Sequence, residues 1–258
     1  MVKPIGRSVT VVAIDPGSTT GLCIVTIDKS WLRGAGDPSW QGLGAAIKSK
    51  VAYQIGREPK MFRMDTGRST KLDVPDLNDR MLPILANQPL ITLDGMRSTE
   101  RFEQILNGEG PAGGGDLLYS DAEEVVQVRQ MAGLLDNYAE AAVVCEDFTL
   151  RTDVTSREVT APDRLRASLQ HEEILHGEGR TFFLQSASAM KTTTMPLLRP
   201  SKTKRDYDRL KRAGLYFAGM PHATDAAGHV ALFLREARQH ESIRAAAWPT
   251  HFFNNFEE

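Results

Sequence analysis

Two short apolar runs, VTVVAID at residues 9–15 and AAVVCED at 141–147, each close on an acid. Both are rich in β-branched residues and too short for a buried helix. Each therefore reads as a strand, the first ending at Asp15 and the second bringing Glu146 and Asp147 to its C-terminal end. Carboxylates are expensive to gather unless a cation compensates them. Strands that finish this way limit the chain to folds whose strand ends meet solvent, a counter-charge or a ligand.

The flanking segments build on these runs. PGSTTG after Asp15 reads as a turn and GLCIVTI (21–27) as the returning strand, which makes a hairpin with an acid at its mouth. Gly17 and Gly21 permit backbone angles there that other residues resist. Further on, Val125, Val128, Met131, Leu135 and Tyr138 recur at helical spacing behind a Ser120–Glu123 capping box, which predicts a helix ending near Glu140. Residues 163–176 form another expected helix and TFFLQ (181–185) another strand. TDAAGHVALFLREARQ (224–239) reads as a long helix with Thr224 as its candidate cap. Strands alternating with helices place the chain in the α/β class.

Residues 31–118 break this rhythm. They are rich in Gly, Pro and charge, with one candidate strand at 89–93 and a flexible break, GPAGGGD, at 110–116. This stretch reads as an insertion or side layer. The expected organisation is one domain over residues 1–240, interrupted at about 31–118, and a C-terminal tail at 241–258. The tail's aromatic WPTHFFNNF either packs back on the domain or meets a partner.

At 258 residues, with 41% hydrophobic and 25% charged residues, the chain has an ordinary globular balance. That excludes collagen-like, largely disordered and multi-span membrane proteins. No run is long enough to cross a bilayer, and the first ten residues lack a signal-peptide core, so a cytoplasmic location is the default. Cys23 and Cys145 sit in apolar runs and read as reduced packing residues. The formal charge of −2 conceals an asymmetry. Residues 94–124 carry eight acids and two arginines, a net −6, whereas 191–212 carries a net +6.

Asp15, Glu146 and Asp225 are the candidate chemistry-bearing acids. His222 precedes Asp225 by three residues and His229 follows it by four, so all three share one helical face if the helix begins early enough. Hard oxygen ligands at strand ends suit Mg²⁺ or Mn²⁺, and two such ions about 4 Å apart serve phosphodiester cleavage. Plainer roles stand beside this one. Asp15 can end a turn, Glu146 can cap a helix, and Asp225 can favour a helix dipole. Asp147 competes with Glu146, and His229 reads better as a packing or supporting residue than as a ligand. The basic tract contains Lys191, Arg199, Lys202, Lys204, Arg205, Arg209, Lys211 and Arg212. It is either a solvated face or compensation for a polyanionic substrate. Tyr207 and Tyr216 could stack on that substrate or simply pack.

Four segments carry a family resemblance. IDPGSTTG (14–21), VVCEDF (143–148), LQSASAMK (184–191) and HATDAAGHVALF (222–233) resemble, in order, motifs of the RuvC-like Holliday junction resolvases of the RNase H-like nuclease superfamily. The resemblance covers roughly residues 9–30 and 120–238. It implies an RNase H-like α/β fold, with a five-stranded mixed sheet of order 3-2-1-4-5 flanked by helices. It also implies a homodimer that cuts four-way DNA junctions with Mg²⁺ or Mn²⁺, two ions per site, leaving 5′-phosphate and 3′-hydroxyl ends. Asp15, Glu146, His222 and Asp225 would hold the metal and Lys191 would touch the phosphate backbone. Lys202, Lys204, Arg205 and Lys211 would support that contact. Phe148 stands two residues after the glutamate, where the family carries its junction-probing aromatic three residues after it. The long stretch at 31–118 also departs from the family pattern, and the variant architecture resembles phage-type members.

Rival readings are other RNase H-like nucleases acting on flaps, R-loops or RNA–DNA hybrids, and a non-catalytic nucleic-acid-binding protein on the same scaffold. A sugar-kinase or actin-like ATPase would need a second phosphate-binding hairpin, and the chain shows no convincing copy.

Overall fold

The acid-ended runs are neighbours in one sheet. The computed structural model describes residues 7–16, 19–55, 60–63, 68–71, 138, 140–147, 182–198 and 204–252. Its strands are β1 (Ser8–Asp15), β2 (Thr20–Asp28), β3 (Ile47–Ile55), β4 (Lys60–Arg63), β5 (Arg68–Lys71), β6 (Ala142–Asp147) and β7 (Phe182–Ser186). Its helices are α1 (Lys29–Leu32), α2 (Trp40–Ala46), α3 (Ala187–Thr194), α4 (Asp208–Arg212), α5 (Pro221–Gln239), α6 (Glu241–Ala247) and α7 (Pro249–Phe252).

The sheet runs β5-β4-β3-β2-β1-β6-β7. β1 pairs antiparallel with β2 and parallel with β6, and β6 is parallel to β7. Counting β6 and β7 as fourth and fifth, the central order is 3-2-1-4-5, the sheet of the RNase H-like fold. The sheet has seven strands rather than the expected five. β4 and β5 pair onward from the edge of β3, whose backbone groups are open to such pairing. The third strand, β3, begins at Ile47, early in the segment read as irregular. Lys48, Ser49 and Lys50 dilute its apolar pattern, and it is held by its ladder to β2.

Helix α5 covers one face of the sheet centre. Its Ala223, Ala226, Ala227, Val230 and Leu234 join Val9, Val11 and Ala13 of β1, Cys23 and Val25 of β2, and Val144 of β6 in one core. The alternate residues Val12, Ile14, Leu22, Ile24 and Val143 are buried as well. The runs thus read as almost continuously apolar, the pattern of parallel strands covered on both faces. Both cysteines are buried and neither is in a disulfide.

α5 begins three residues earlier than the sequence pattern indicates. Pro221 occupies its first turn, where a proline has no hydrogen bond to lose. Thr224 is therefore inside the helix and does not cap it. Its hydroxyl accepts from the Phe217 backbone N–H and donates to the Phe217 carbonyl, both at 3.2 Å. The tail packs back. Trp248 is buried, stacks edge-on against Phe233 at 5.8 Å, and donates its indole N–H to the Thr10 carbonyl at 2.9 Å. The expected strand at 89–93, the helix at 163–176 and, apart from residues 138 and 140, the helix at 120–140 lie outside the described residues, as do Phe148, Arg199 and Lys202. Among the described residues no helix is long and apolar enough to cross a membrane.

Candidate active site

The register of β1 and β6 creates the site. Ile14 pairs with Cys145, so the next step places Asp15 beside Glu146 at the C-terminal ends of two parallel strands. Residues in register point to the same side, and successive residues alternate. Asp15 and Glu146 therefore share the α5 face, while Asp147 turns to the other. The next pair, Glu146 with Gln185, extends the row to β7. In the other direction Asp15 pairs with Gly21, and Gly21 with Gln54. Gln54 Oε1 is the one buried side-chain atom without a hydrogen-bond partner among the described residues.

Two glycines let helices close on this row. A Cβ on Gly21 would run into the His222 carbonyl and lie 2.7 Å from the Ala223 nitrogen. Its bare backbone is what admits the first turn of α5, and with it His222. Gly228 plays the matching part for α3. A Cβ there would meet the Met190 sulfur and come within 3.0 Å of Met195 Cε. The close approach seats Lys191, the next residue on α3, against Asp225 of α5.

Each acid consequently has a cationic or imidazole neighbour. His222 Nδ1 lies 3.4 Å from Asp15 Oδ2, His229 Nε2 lies 3.3 Å from Glu146 Oε2, and Lys191 Nζ lies 3.3 Å from Asp225 Oδ2. Asp15 and Glu146 also act on each other electrostatically. Burial pushes the Asp15 carboxyl up to about 6; the hydrogen bond from His222 opposes this, and the charges of Glu146 and Asp225 add to it. Glu146 moves the other way. Burial would raise it, but the hydrogen bond and charge of His229, the charge of Lys191 and a hydrogen bond from Asp15 hold it below the ordinary glutamate value. Burial weighs against the Lys191 ammonium too, yet Asp225, Glu146 and Asp15 together raise its pKa. His222 is raised, chiefly by its hydrogen bond to Asp15.

Of the expected site residues, the fold brings together Asp15, Glu146, His222, Asp225 and Lys191. Arg205 is near as well, because it, Lys191 and Asp225 all act on the partly buried Tyr207 hydroxyl, which burial first of all raises. Arg205 is held by an antiparallel bridge to Leu197. Tyr207 packs on Tyr216 with ring centroids 5.2 Å apart. Lys204 is exposed, and Lys211 lies 4.0 Å from Asp208 and over the Tyr216 ring. Lys191, expected at the phosphate backbone, has its ammonium within the acid group, on Asp225. Gln185 and Glu236 were not singled out by sequence reading. Gln185 lies in the LQSASAMK segment and Glu236 in none of the four, and only the register of β7 and the two-turn spacing from His229 bring them to the site.

A hard divalent cation suits this donor set. Carboxylates from β1, β6 and α5 come near enough to act on one another, and burial, with the charges of Glu146 and Asp225, raises Asp15. Among the described residues no three His, Cys, Asp or Glu side chains form a ready-made cage, and Lys191, His222 and His229 lie against the acids.

No protein-family model and no curated protein matches the sequence. The solved structures that match include two of the same protein. One is Thermus thermophilus RuvC, at 14% identity over 89% of this chain and 96% of that one, with a TM-score of 0.39. The other is T. thermophilus RuvC in complex with a Holliday junction substrate, at 11% identity over 90% of this chain and 96% of that one, with a TM-score of 0.40.

Proposed function

We propose that the chain is a Mg²⁺-dependent, structure-selective DNA endonuclease that acts as a homodimer on four-way junctions. The observation that carries this reading is the convergence of Asp15, Glu146 and Asp225 from three separate elements, with Lys191 among them. Burial raises Asp15 even with His222 beside it, so gathering these carboxyls opposes folding at neutral pH, which is the cost of a site rather than of a packing feature. The four motif resemblances supply the choice of junction DNA.

Asp15, Glu146, Asp225 and His222 are the residues that would hold the metal. When bound, a divalent cation polarises a phosphate oxygen and lowers the pKa of water. The chain's own residues do the remaining work. Glu146, held ionised by His229 and Lys191, contributes negative charge at neutral pH. Lys191 compensates the acids until a phosphate approaches, and then has a second anion within reach. Lys204, Arg205 and Lys211 provide positive charge for the backbone, which positions DNA without reading its sequence.

The test is cleavage of labelled junction, flap, duplex and RNA–DNA hybrid substrates by wild type and Asp15→Asn in Mg²⁺. Wild type should cut the junction best, leaving 5′-phosphate ends, and the variant should bind without cutting. Undiminished cleavage by Asp15→Asn would sink the assignment. Preference for flaps or hybrids would retain the nuclease and replace its substrate.

A further inference from the structure

His229 is buried completely and so cannot touch DNA, yet both of its ring nitrogens are engaged. Nε2 faces Glu146 Oε2 at 3.3 Å and Nδ1 faces Gln185 Oε1 at 3.2 Å. Behind it, Gln185 Nε2 donates to Glu236 Oε2 at 3.2 Å. A carboxylate only accepts, so the amide nitrogen of Gln185 must face Glu236 and its oxygen must face the ring. His229 Nδ1 is then the donor to Gln185, and Nε2, which also faces an accepting carboxylate at Glu146, donates as well, so both bonds fix the ring's orientation. The four residues form a cross-link between helix and sheet. His229 and Glu236 are seven apart, two turns along one face of α5. Glu146 and Gln185 are register partners on β6 and β7.

We infer that His229 is a positioning residue: braced by Gln185 and Glu236, it holds one oxygen of Glu146 so that the carboxylate is presented toward Asp15 and a divalent cation. The inference rests on the nuclease reading. Its physical basis is that a carboxylate on a strand end has a free terminal torsion, and a partner fixed at both ring nitrogens removes that freedom before a ligand arrives. His222 is different. It is half-exposed and reaches Asp15 from the helix's first turn, so it is placed to be a ligand.

The test uses the full chain with His229→Leu, His229→Gln and Gln185→Leu. Mn²⁺ alone is titrated by calorimetry, junction affinity is measured in EDTA, single-turnover cleavage is followed in Mg²⁺, and melting is monitored by circular dichroism. His229→Leu should weaken Mn²⁺ binding about 10- to 100-fold and slow cleavage at saturating DNA. Junction affinity should stay within about twofold, because the ring is away from the DNA surface. His229→Gln, which keeps a donor, should recover part of the metal affinity. If His229→Leu does not fold, Gln185→Leu carries the test, since it frees the ring while leaving it in place. Wild-type Mn²⁺ affinity in folded His229→Leu, or in Gln185→Leu where that one is used, overturns the positioning role and leaves the nuclease reading intact. A wild-type protein that neither binds Mn²⁺ nor cuts overturns both.

Discussion

The ends of β1 and β6 lie side by side, in register and on the same face, yet they treat their carboxyl groups oppositely. Asp15 is raised to about 6, whereas Glu146 is held below its ordinary value. Burial opposes ionisation at both ends and prevails at Asp15, where the charges of Glu146 and Asp225 add to it, while His229 and Lys191 overcome it at Glu146. The imidazole partners differ too. The His222 side chain is 43% exposed and sits at a helix start, while that of His229 is 0% exposed and is fixed through Gln185 to Glu236. Different surroundings thus give two adjacent acids different states.

The largest effect should come from the contact that creates the Asp15 side. Gly21→Ala drives a Cβ into helix backbone that cannot move aside, so it should cost more than about 4 kcal/mol. Urea unfolding would measure it, and a loss below about 1 kcal/mol would show that the first turn of α5 is not pinned to the hairpin.

Next comes the asymmetry between the imidazoles. His229→Ala leaves a cavity with Glu146 and Gln185 unpaired and should cost about 2–4 kcal/mol, whereas half-exposed His222→Ala should cost less than about 1 kcal/mol. Equal losses would erase the distinction between the two strand ends.

The third effect is a pH dependence. A carboxyl raised from 3.8 to about 6 holds its proton more tightly when folded. Its contribution to stability is fully present below pH 3.8 and is lost as pH rises through about 6, amounting to about 3 kcal/mol. In EDTA, Asp15→Asn should thus be more stable than wild type at pH 7, and the gap should close near pH 4. A constant gap across that range would mean that Asp15 ionises as freely as an exposed acid.

The smallest effect belongs to the second glycine. Gly228→Ala meets a flexible methionine rather than backbone. Better helix propensity offsets the displacement, so stability should change by less than about 1 kcal/mol. A much larger loss would make the α3–α5 contact as unyielding as that at Gly21.

Local signals in the chain were sufficient for the hairpin, β6, β7 and the body of α5, because short β-branched runs and helical spacing report on neighbours in sequence. They also marked Asp15, Glu146 and Asp225 as acids at the ends of otherwise apolar elements. β3 escaped notice because Lys48, Ser49 and Lys50 hide its pattern until β2 supplies the ladder. Thr224 was misassigned as a cap because its side chain satisfies Phe217 instead, and Pro221 had already started the helix.

What the sequence by itself determined is the kind of chemistry available: three carboxylates, two histidines and a basic tract, set on strands and a helix of an α/β chain. Tertiary structure decided the rest. Register, and nothing local, chose Glu146 over Asp147 by turning only one of them toward Asp15. Helix packing across two bare glycines moved Lys191 onto Asp225 and His222 onto Asp15. The Gln185–His229–Glu146 chain exists only because β7 and α5 meet. A side chain's charge state depends on how deeply it is buried and on which groups face it, and those are set by contacts between residues far apart in the sequence.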